Sequence, residues 1–484
     1  MSTTELSALP ALTPTPPQRL ISLDALRGLT IAGMILVNNP GSWAPDRIYG
    51  PLRHADWNGW TPTDLVFPFF LFIVGVALAF SFKRRFEQGV ARTKLFAQVV
   101  RRSLILILLG VIMAAFPDYD LLNAVRDGKS NASPVLVALS LFRLAAPYLL
   151  FIVGLLFLYA DEPLFRFAPS RAVLVRKIVA LALFIGAIVY FWLDYTYFEN
   201  RKLRVPGVLQ RIGLCYFFAA LIVMWCNTWG RAAIGVLLLI GYWVLVTCVQ
   251  TPDWYHPSVK DPIGLLHDWI DTRVLGVHLY SERPDPEGLL STLPAIATVL
   301  AGVLTGHWLQ SQREKINKLV GLFVAANVVL LIGLWVGCFF PINKKIWTPS
   351  YVLATAGVAL NCLAFCYWLI DLKGHRKWAW PFVVFGSNAI VVYVAASMTA
   401  KILAITKLAD GQTTVKGWLY DHLCVSWAGP FNQAALTPVS WCYEHLFAPW
   451  GGPPLGSLAY PILLNLFWLI PMYVLYRLKI FVKI

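Results

Sequence analysis

Charge is what this sequence has least of. Only 13% of its 484 residues are Asp, Glu, Lys or Arg, against roughly 25% in an average soluble domain, while 58% are hydrophobic. A chain so poor in charge is not built to be solvated by water on all sides. Acidic residues are the scarcer sign, 25 against 40 basic ones. In a soluble protein the resulting net charge of +15 would point to nucleic acid. Here the cations lie in short links between apolar runs, which is the pattern of membrane topology, so no nucleic-acid partner is expected. The eight cysteines include no CxxC pair, and no His-rich pair accompanies them, so no metal site is expected. Most, such as Cys215, Cys248, Cys338 and Cys362, sit inside apolar runs, where a thiol is a small hydrophobe. Cys424 and Cys442 share one polar stretch, but spacing alone does not bring two Cα atoms within bridging distance. The first nineteen residues hold four prolines and no apolar core of signal-peptide length, so no cleavable leader is expected there. No internal repeat is visible, and with it goes the usual mark of two-fold transporter architecture.

What is present is a succession of apolar runs of roughly 17 to 25 residues, each long enough to cross a hydrocarbon core as a helix. They fall near 20–37, 65–82, 103–116, 135–159, 179–197, 208–225, 232–249, 289–309, 319–340, 351–370, 382–398 and 458–476. The fold class expected is all-α, a polytopic transmembrane bundle of about twelve spans, with eleven as the alternative count. Four basic links contain Lys83 to Arg102, Arg171 to Lys177, Arg313 to Lys318 and Lys373 to Lys377. All four fall on one side, which the positive-inside rule makes cytoplasmic together with both termini. Residues 1–18 then form a cytoplasmic tail and 19–484 a single transmembrane domain. Its long extracytoplasmic segments lie near 38–60, 250–288 and 401–457, and their many tryptophans favour packed structure at the lipid interface. The last of these is also a candidate subunit contact, which makes a homodimer one expected assembly.

Polar groups at membrane depth are candidates for function. Asp24 and Arg27 are three apart on the first span, and Asn38 lies three turns beyond Arg27 on the same face. The separation, about 16 Å along the axis, suits a ligand running lengthwise through the bundle; the alternative is a simple Asp24–Arg27 pair, with Asn38 ending the helix. His54 stands just before the second span, where Asp56 or Asp64 could fix its tautomer for acid–base work. Thr61-Pro62-Thr63-Asp64 reads as a capping box with proline at the first helical position, and the cap is taken as the main role of Asp64. Arg211 lies one turn inside a helix at its dipole-positive end, so it needs an anion, a carbonyl or a ligand; Glu287 is one candidate partner. Ser387, Asn388 and Asn361 lie within spans, where helix-to-helix hydrogen bonds and substrate contacts explain them equally well.

These blocks resemble the heparan-α-glucosaminide N-acetyltransferase family and its bacterial members. The likeness rests on Ser22-Leu23-Asp24-Ala25-Leu26-Arg27-Gly28 with Val37-Asn38, on His54-Ala55-Asp56-Trp57-Asn58-Gly59, and on Asp64-Leu65-Val66-Phe67-Pro68. Further blocks are Val205-Pro206-Gly207-Val208-Leu209-Gln210-Arg211, Asp285-Pro286-Glu287-Gly288 and the closing stretch from Leu475 to Ile484. The resemblance implies a multi-pass enzyme of the bacterial inner membrane that takes acetyl-CoA from the cytoplasmic side and acetylates an amino sugar on the other. It implies His54 and Asn38 as catalytic residues. Asp24, Arg27, Asn58, Asp64, Arg211, Glu287 and Asn388 are expected to bind cofactor or substrate. Residues 118–197 look like an inserted helical hairpin, and the lumenal domain of the animal enzymes is absent from this sequence, so a free amino sugar or short oligosaccharide is the expected acceptor. Two other classes remain open at this stage: an amino-sugar transporter, and an O-acyltransferase of cell-envelope glycans.

Overall fold

The computed structural model describes residues 20–44, 46–115, 204–249, 251, 266–276, 278–280, 284–406, 414–425 and 453–482. Among them every long element is a helix: α1 (Ile21–Asn38), α2 (Val66–Glu87), α3 (Arg92–Ala115), α4 (Val208–Trp225), α5 (Thr228–Cys248), α6 (Leu266–Leu275), α7 (Thr292–Leu309), α8 (Lys315–Gly337), α9 (Pro349–Cys366), α10 (Trp380–Ser387), α11 (Ala389–Ile405), α12 (Val415–Leu419) and α13 (Pro453–Arg477). Nine helical stretches are long and apolar enough to cross a membrane, and α10 with α11 makes a tenth if that bent pair is one span. Each matches one of the expected apolar runs. The runs at 135–159 and 179–197 lie outside the described residues, as do the expected inserted hairpin and the pairing of Cys442 with Cys424.

The core is made by α1, α2, α4, α7 and α9, whose inward faces are lined with Leu, Ile, Val, Ala and Phe. Helices α5 and α8 are peripheral: Leu237 and Leu331 are each 65% exposed, as expected of side chains that face lipid rather than protein. With lipid as solvent, burying apolar area between helices yields little, and association depends on close van der Waals approach. Glycines supply it. A Cβ on Gly75 would lie 1.9 Å from the carbonyl oxygen of Val299, and one on Gly302 would lie 2.0 Å from that of Phe72, so α2 and α7 meet backbone to backbone. Gly28 and Gly386 do the same for α1 and α10, where added Cβ atoms would fall 1.7 Å from Phe382 O and 2.1 Å from Asp24 O.

The run at 382–398 reads as one continuous span but folds as two helices bent by 86°. The break is Asn388, with φ −130° and ψ 42°. Its side chain makes two bonds to the C-terminal tail, donating to Ile480 O (3.0 Å) and accepting from Val482 N (2.9 Å). An amide that satisfies outside backbone groups in this way competes with helix continuation.

Candidate active site

The segment from Tyr49 to Val66 folds around one carboxylate. Thr61 caps the short 3₁₀ turn Pro62–Leu65, and Pro62 opens it, where a missing N–H costs nothing. Asp64 Oδ2 accepts from Thr61 N (3.0 Å), Thr61 Oγ1 (3.0 Å) and Ala55 N (3.1 Å). The capping box is therefore real, yet it uses only one oxygen. Asp64 Oδ1 turns to His54, whose Nδ1 lies 2.6 Å away. An ionised carboxylate can only accept, so the proton of this bond belongs to Nδ1 and the lone pair of the ring is left on Nε2. Of the two carboxylates considered from the sequence, Asp64 orients the histidine; Asp56 is exposed. Asp64 itself is 1% exposed while His54 is 41% exposed, which is a buried anchor beneath an accessible ring. Tyr351 of α9 donates to the Asp64 carbonyl at 2.5 Å and fixes the turn from below.

His54 opens onto a cavity of 480 Å³ that Asn38, Asp56, Asp64, Arg204, Glu287 and Lys344 also line. Two of these cations were not anticipated. Arg204 grips Asp285 with two bonds (2.6 and 3.1 Å) and Glu287 with one (2.5 Å), and lies over the Tyr280 ring. Burial opposes its charge, but the hydrogen bonds and attraction of the two carboxylates outweigh burial and hold the guanidinium above its ordinary value. Lys344, from the loop between α8 and α9, places Nζ 3.2 Å from Asp64 Oδ1 and 3.0 Å from His54 Nδ1. Burial pushes this ammonium below the usual lysine range, against the pull of Asp64 and Glu287.

Several expected site residues lie elsewhere. Arg211 is buried and does not line the cavity; its guanidinium donates to Gly288 O (2.9 Å) and Ser291 Oγ and stacks over Trp347. Among the described residues the ion-pair partner of Glu287 is Arg204, one turn before α4, which reaches Asp285 and Glu287 together. Asn58 meets Asn343 at 3.5 Å, loop against loop, and Asn388 holds the tail at the far end of the bundle. Asp24 and Arg27 pair at 3.1 Å at that same end. Arg27 borders a smaller cavity of 190 Å³ with Arg102, Tyr216 and Gly386, while Asp24 opens into a separate cleft. Helices α1, α2 and α4 contribute to both the Arg27 and the His54 cavities, through Arg27 and Asn38, Val74 and Phe67, Ile212 and Val208. Arg27 and Asn38 thus line separate cavities along one helix, and the Asp24–Arg27 pair weighed from the sequence is present. A larger apolar groove of 670 Å³ between α1, α2 and α9 is lined by no Asp, Glu, His, Lys or Arg; its polar groups include Thr30, Asn361 and the thiols of Cys362 and Cys366.

A second polar cluster is sealed behind the first. His267 and Asp271, four apart on α6, face Arg211 and the 285–291 segment; His267 Nε2 meets the Tyr242 hydroxyl, which also donates to Ile346 O. Asp271 Oδ1 accepts from Leu289 N at 2.9 Å. Burial and the nearby Arg211 hold the His267 imidazolium down to about 3, and burial raises the Asp271 carboxyl to about 6.

Residues 19–121 match the family model for the catalytic part of heparan-α-glucosaminide N-acetyltransferase. That stretch contains Asp24, Arg27, Asn38, His54 and Asp64. The chain is 27% identical over 429 residues to the human heparan-α-glucosaminide N-acetyltransferase and 27% identical over 433 residues to the mouse enzyme. Each alignment covers 82% of this chain and 56% of the relative, so the chain spans about half the length of the curated relatives it matches. The resemblance read from the opening and internal sequence blocks thus extends over most of the chain, and the relatives bear the name of an enzyme.

Proposed function

Starting from that kinship with the heparan-α-glucosaminide N-acetyltransferases, we propose that this chain is a transmembrane N-acetyltransferase that moves acetyl from cytoplasmic acetyl-CoA to the amine of an extracytoplasmic glucosamine-type sugar. The observation that carries the reading is His54, with Nδ1 bonded to a buried carboxylate and Nε2 without a partner among the described residues, at a cavity that Asn38 shares. A histidine held in this way is a base with its lone pair presented to substrate. Asn38 ends α1 and lines the same cavity, and its amide is the group that donates to the developing oxyanion in this reading.

The donor supplies an acetyl thioester at the end of a long, thin arm, and the chain's residues suit it. Arg27 and Arg102 border the cavity at the opposite end of the α1, α2 and α4 seam, where a nucleotide's phosphates would find cations. His54 takes the amine proton as the carbon–nitrogen bond forms, Asn38 stabilises the oxyanion, and the histidine returns the proton to the sulfur as the carbon–sulfur bond breaks. Glu287 lines the acceptor side with its charge shared by Arg204, which fits recognition of sugar hydroxyls and amine. In the other acyl-transfer course, His54 Nε2 attacks the thioester carbon and CoA leaves as the thiolate; the sugar amine then takes the acetyl from the acetyl-imidazole, and the freed imidazole takes the amine proton. An acetyl-enzyme trapped on the His54 peptide without acceptor assigns this second course.

The purified chain, given labelled acetyl-CoA and glucosamine, should form N-acetylglucosamine. An ester product in its place would move the assignment to O-acylation. Unmodified sugar crossing a vesicle membrane with no CoA release would move it to transport. Loss of CoA affinity on Arg27→Ala is expected, and unchanged affinity would remove the axial donor path.

A further inference from the structure

Lys344 lies 290 positions from His54 in sequence, yet its Nζ is 3.0 Å from the ring. The hydrogen-bond logic of the cluster defines what it does. His54 Nδ1 already gives its proton to Asp64 Oδ1 at 2.6 Å, so Lys344 cannot donate to the same nitrogen. Its available acceptor is Asp64 Oδ1, at 3.2 Å. One carboxylate oxygen therefore receives both the imidazole and the ammonium. A histidine bonded to an unscreened carboxylate is driven toward imidazolium, because the opposite charge stabilises the cation. The Lys344 ammonium, in contact with both groups, opposes that drive.

The remaining charged groups around His54 do not duplicate this. Asp56 on the same loop is exposed to solvent. Arg204 and Glu287, from the segments before α4 and α7, are engaged with each other and with Asp285. Lys345 lines the cavity without a contact to the ring. The loop itself is built to hold Lys344 in place. Asn343, Ile346, Trp347 and Thr348 are fully buried; Asn343 N donates to Thr348 Oγ1 (3.0 Å) and Ile346 N to Asn343 Oδ1 (3.2 Å). Gly59 N, five residues after His54, bonds Ile342 O at 2.7 Å and ties the two loops together. Trp347 has φ +54°, a conformation that a bulky residue keeps only where its surroundings enforce it. Trp347 earns that enforcement through its bond to Thr298 and the Arg211 guanidinium over its ring.

We infer that Lys344 is a positioning residue that shares Asp64 with His54, so that the carboxylate orients the imidazole while the nearby ammonium opposes a second proton on the ring. The catalytic meaning rests on the acetyltransferase reading, but the effect on the ring does not. The test uses the full chain in detergent and diethyl pyrocarbonate, which acylates an imidazole only in its neutral form, with mass spectrometry of the His54 peptide across pH. Lys344→Met should move the midpoint of His54 modification upward by about one pH unit, within the range for a charge at contact distance, and Lys344→Arg should leave it in place. Lys344→Gln, which keeps a donor to Asp64 and so protects the fold, should move it in the same direction as Met. Midpoints that stay put or fall in both neutral variants would overturn the inference. The acid limb of kcat/KM should follow the modification midpoint. If no variant and no native protein transfers acetyl while the midpoints still shift, the acetyltransferase reading fails and the role of Lys344 stands.

Discussion

Two clusters at one end of the bundle use the same three side-chain types, a histidine, an aspartate and a cation, and burial separates their characters. In one, His54 is 41% exposed above an Asp64 that is fully enclosed. In the other, His267 is 2% exposed and Asp271 is 1% exposed, with Arg211 beside them. The first has a ring nitrogen open to a cavity of 480 Å³. The second bonds the 285–291 segment, Tyr242 and Ile346, and leaves His267 Nδ1, Asp271 Oδ2 and two Arg211 nitrogens without a partner among the described residues. On the proposed function, the open set is the one whose lone pair can reach substrate, and the enclosed set serves as scaffold.

The largest contrast should come from the two histidines. His54→Ala is expected to lose about 10² to 10⁴-fold in transfer rate, the usual contribution of a positioned base, with little change in thermal stability. His267→Ala should do the reverse, keeping kcat and lowering Tm, since a buried polar partner is lost at a cost of about 1 to 3 kcal/mol. Equal rate losses in both variants would erase the distinction. Next in size, Asn38→Ala should lower kcat by about 10² to 10³-fold, as removal of an oxyanion donor does, with KM for acetyl-CoA nearly unchanged. Glu287→Gln should act more weakly and on binding, raising KM for the amino sugar by about tenfold, equivalent to one charge-assisted hydrogen bond.

The smallest effect concerns pH and the sealed cluster alone. Asp271 binds its proton more tightly folded, at about 6 against 3.8. Its contribution to stability is therefore present at acid pH and is lost as pH rises from about 4 through about 6. Asp271→Asn keeps an oxygen for Leu289 N and carries no charge, so it should flatten that part of the stability curve and raise Tm modestly at pH 7. A variant with the same slope as the native chain between those values would locate the pH dependence elsewhere.

Much of the membrane architecture is legible in the sequence because apolar length is a local property. Every expected span within the described residues has its helix. The break at Asn388 is not legible, since the run around it is apolar throughout and the groups that hold the asparagine, Ile480 O and Val482 N, come from the far end of the chain. At the site, His54 and Asp64 can be found from one short stretch, but the capping pattern accounts for only one Asp64 oxygen. Lys344 and Arg204 carry no periodic or motif signal and owe their places to long-range contacts. Arg211 shows the limit of the dipole argument. It does need acceptors, and Gly288 O and Ser291 Oγ take one guanidinium nitrogen, while Nε and Nη1 have no partner among the described residues.

Acetyl transfer across the membrane at His54 is tested most directly in proteoliposomes with labelled acetyl-CoA on one side and glucosamine on the other. The expected result is N-acetylglucosamine in the amine compartment, formed by the native chain and by His267→Ala but reduced at least a hundredfold in His54→Ala. Product formed equally by His54→Ala, or labelled sugar only where acetyl-CoA and amine share a compartment, would contradict it.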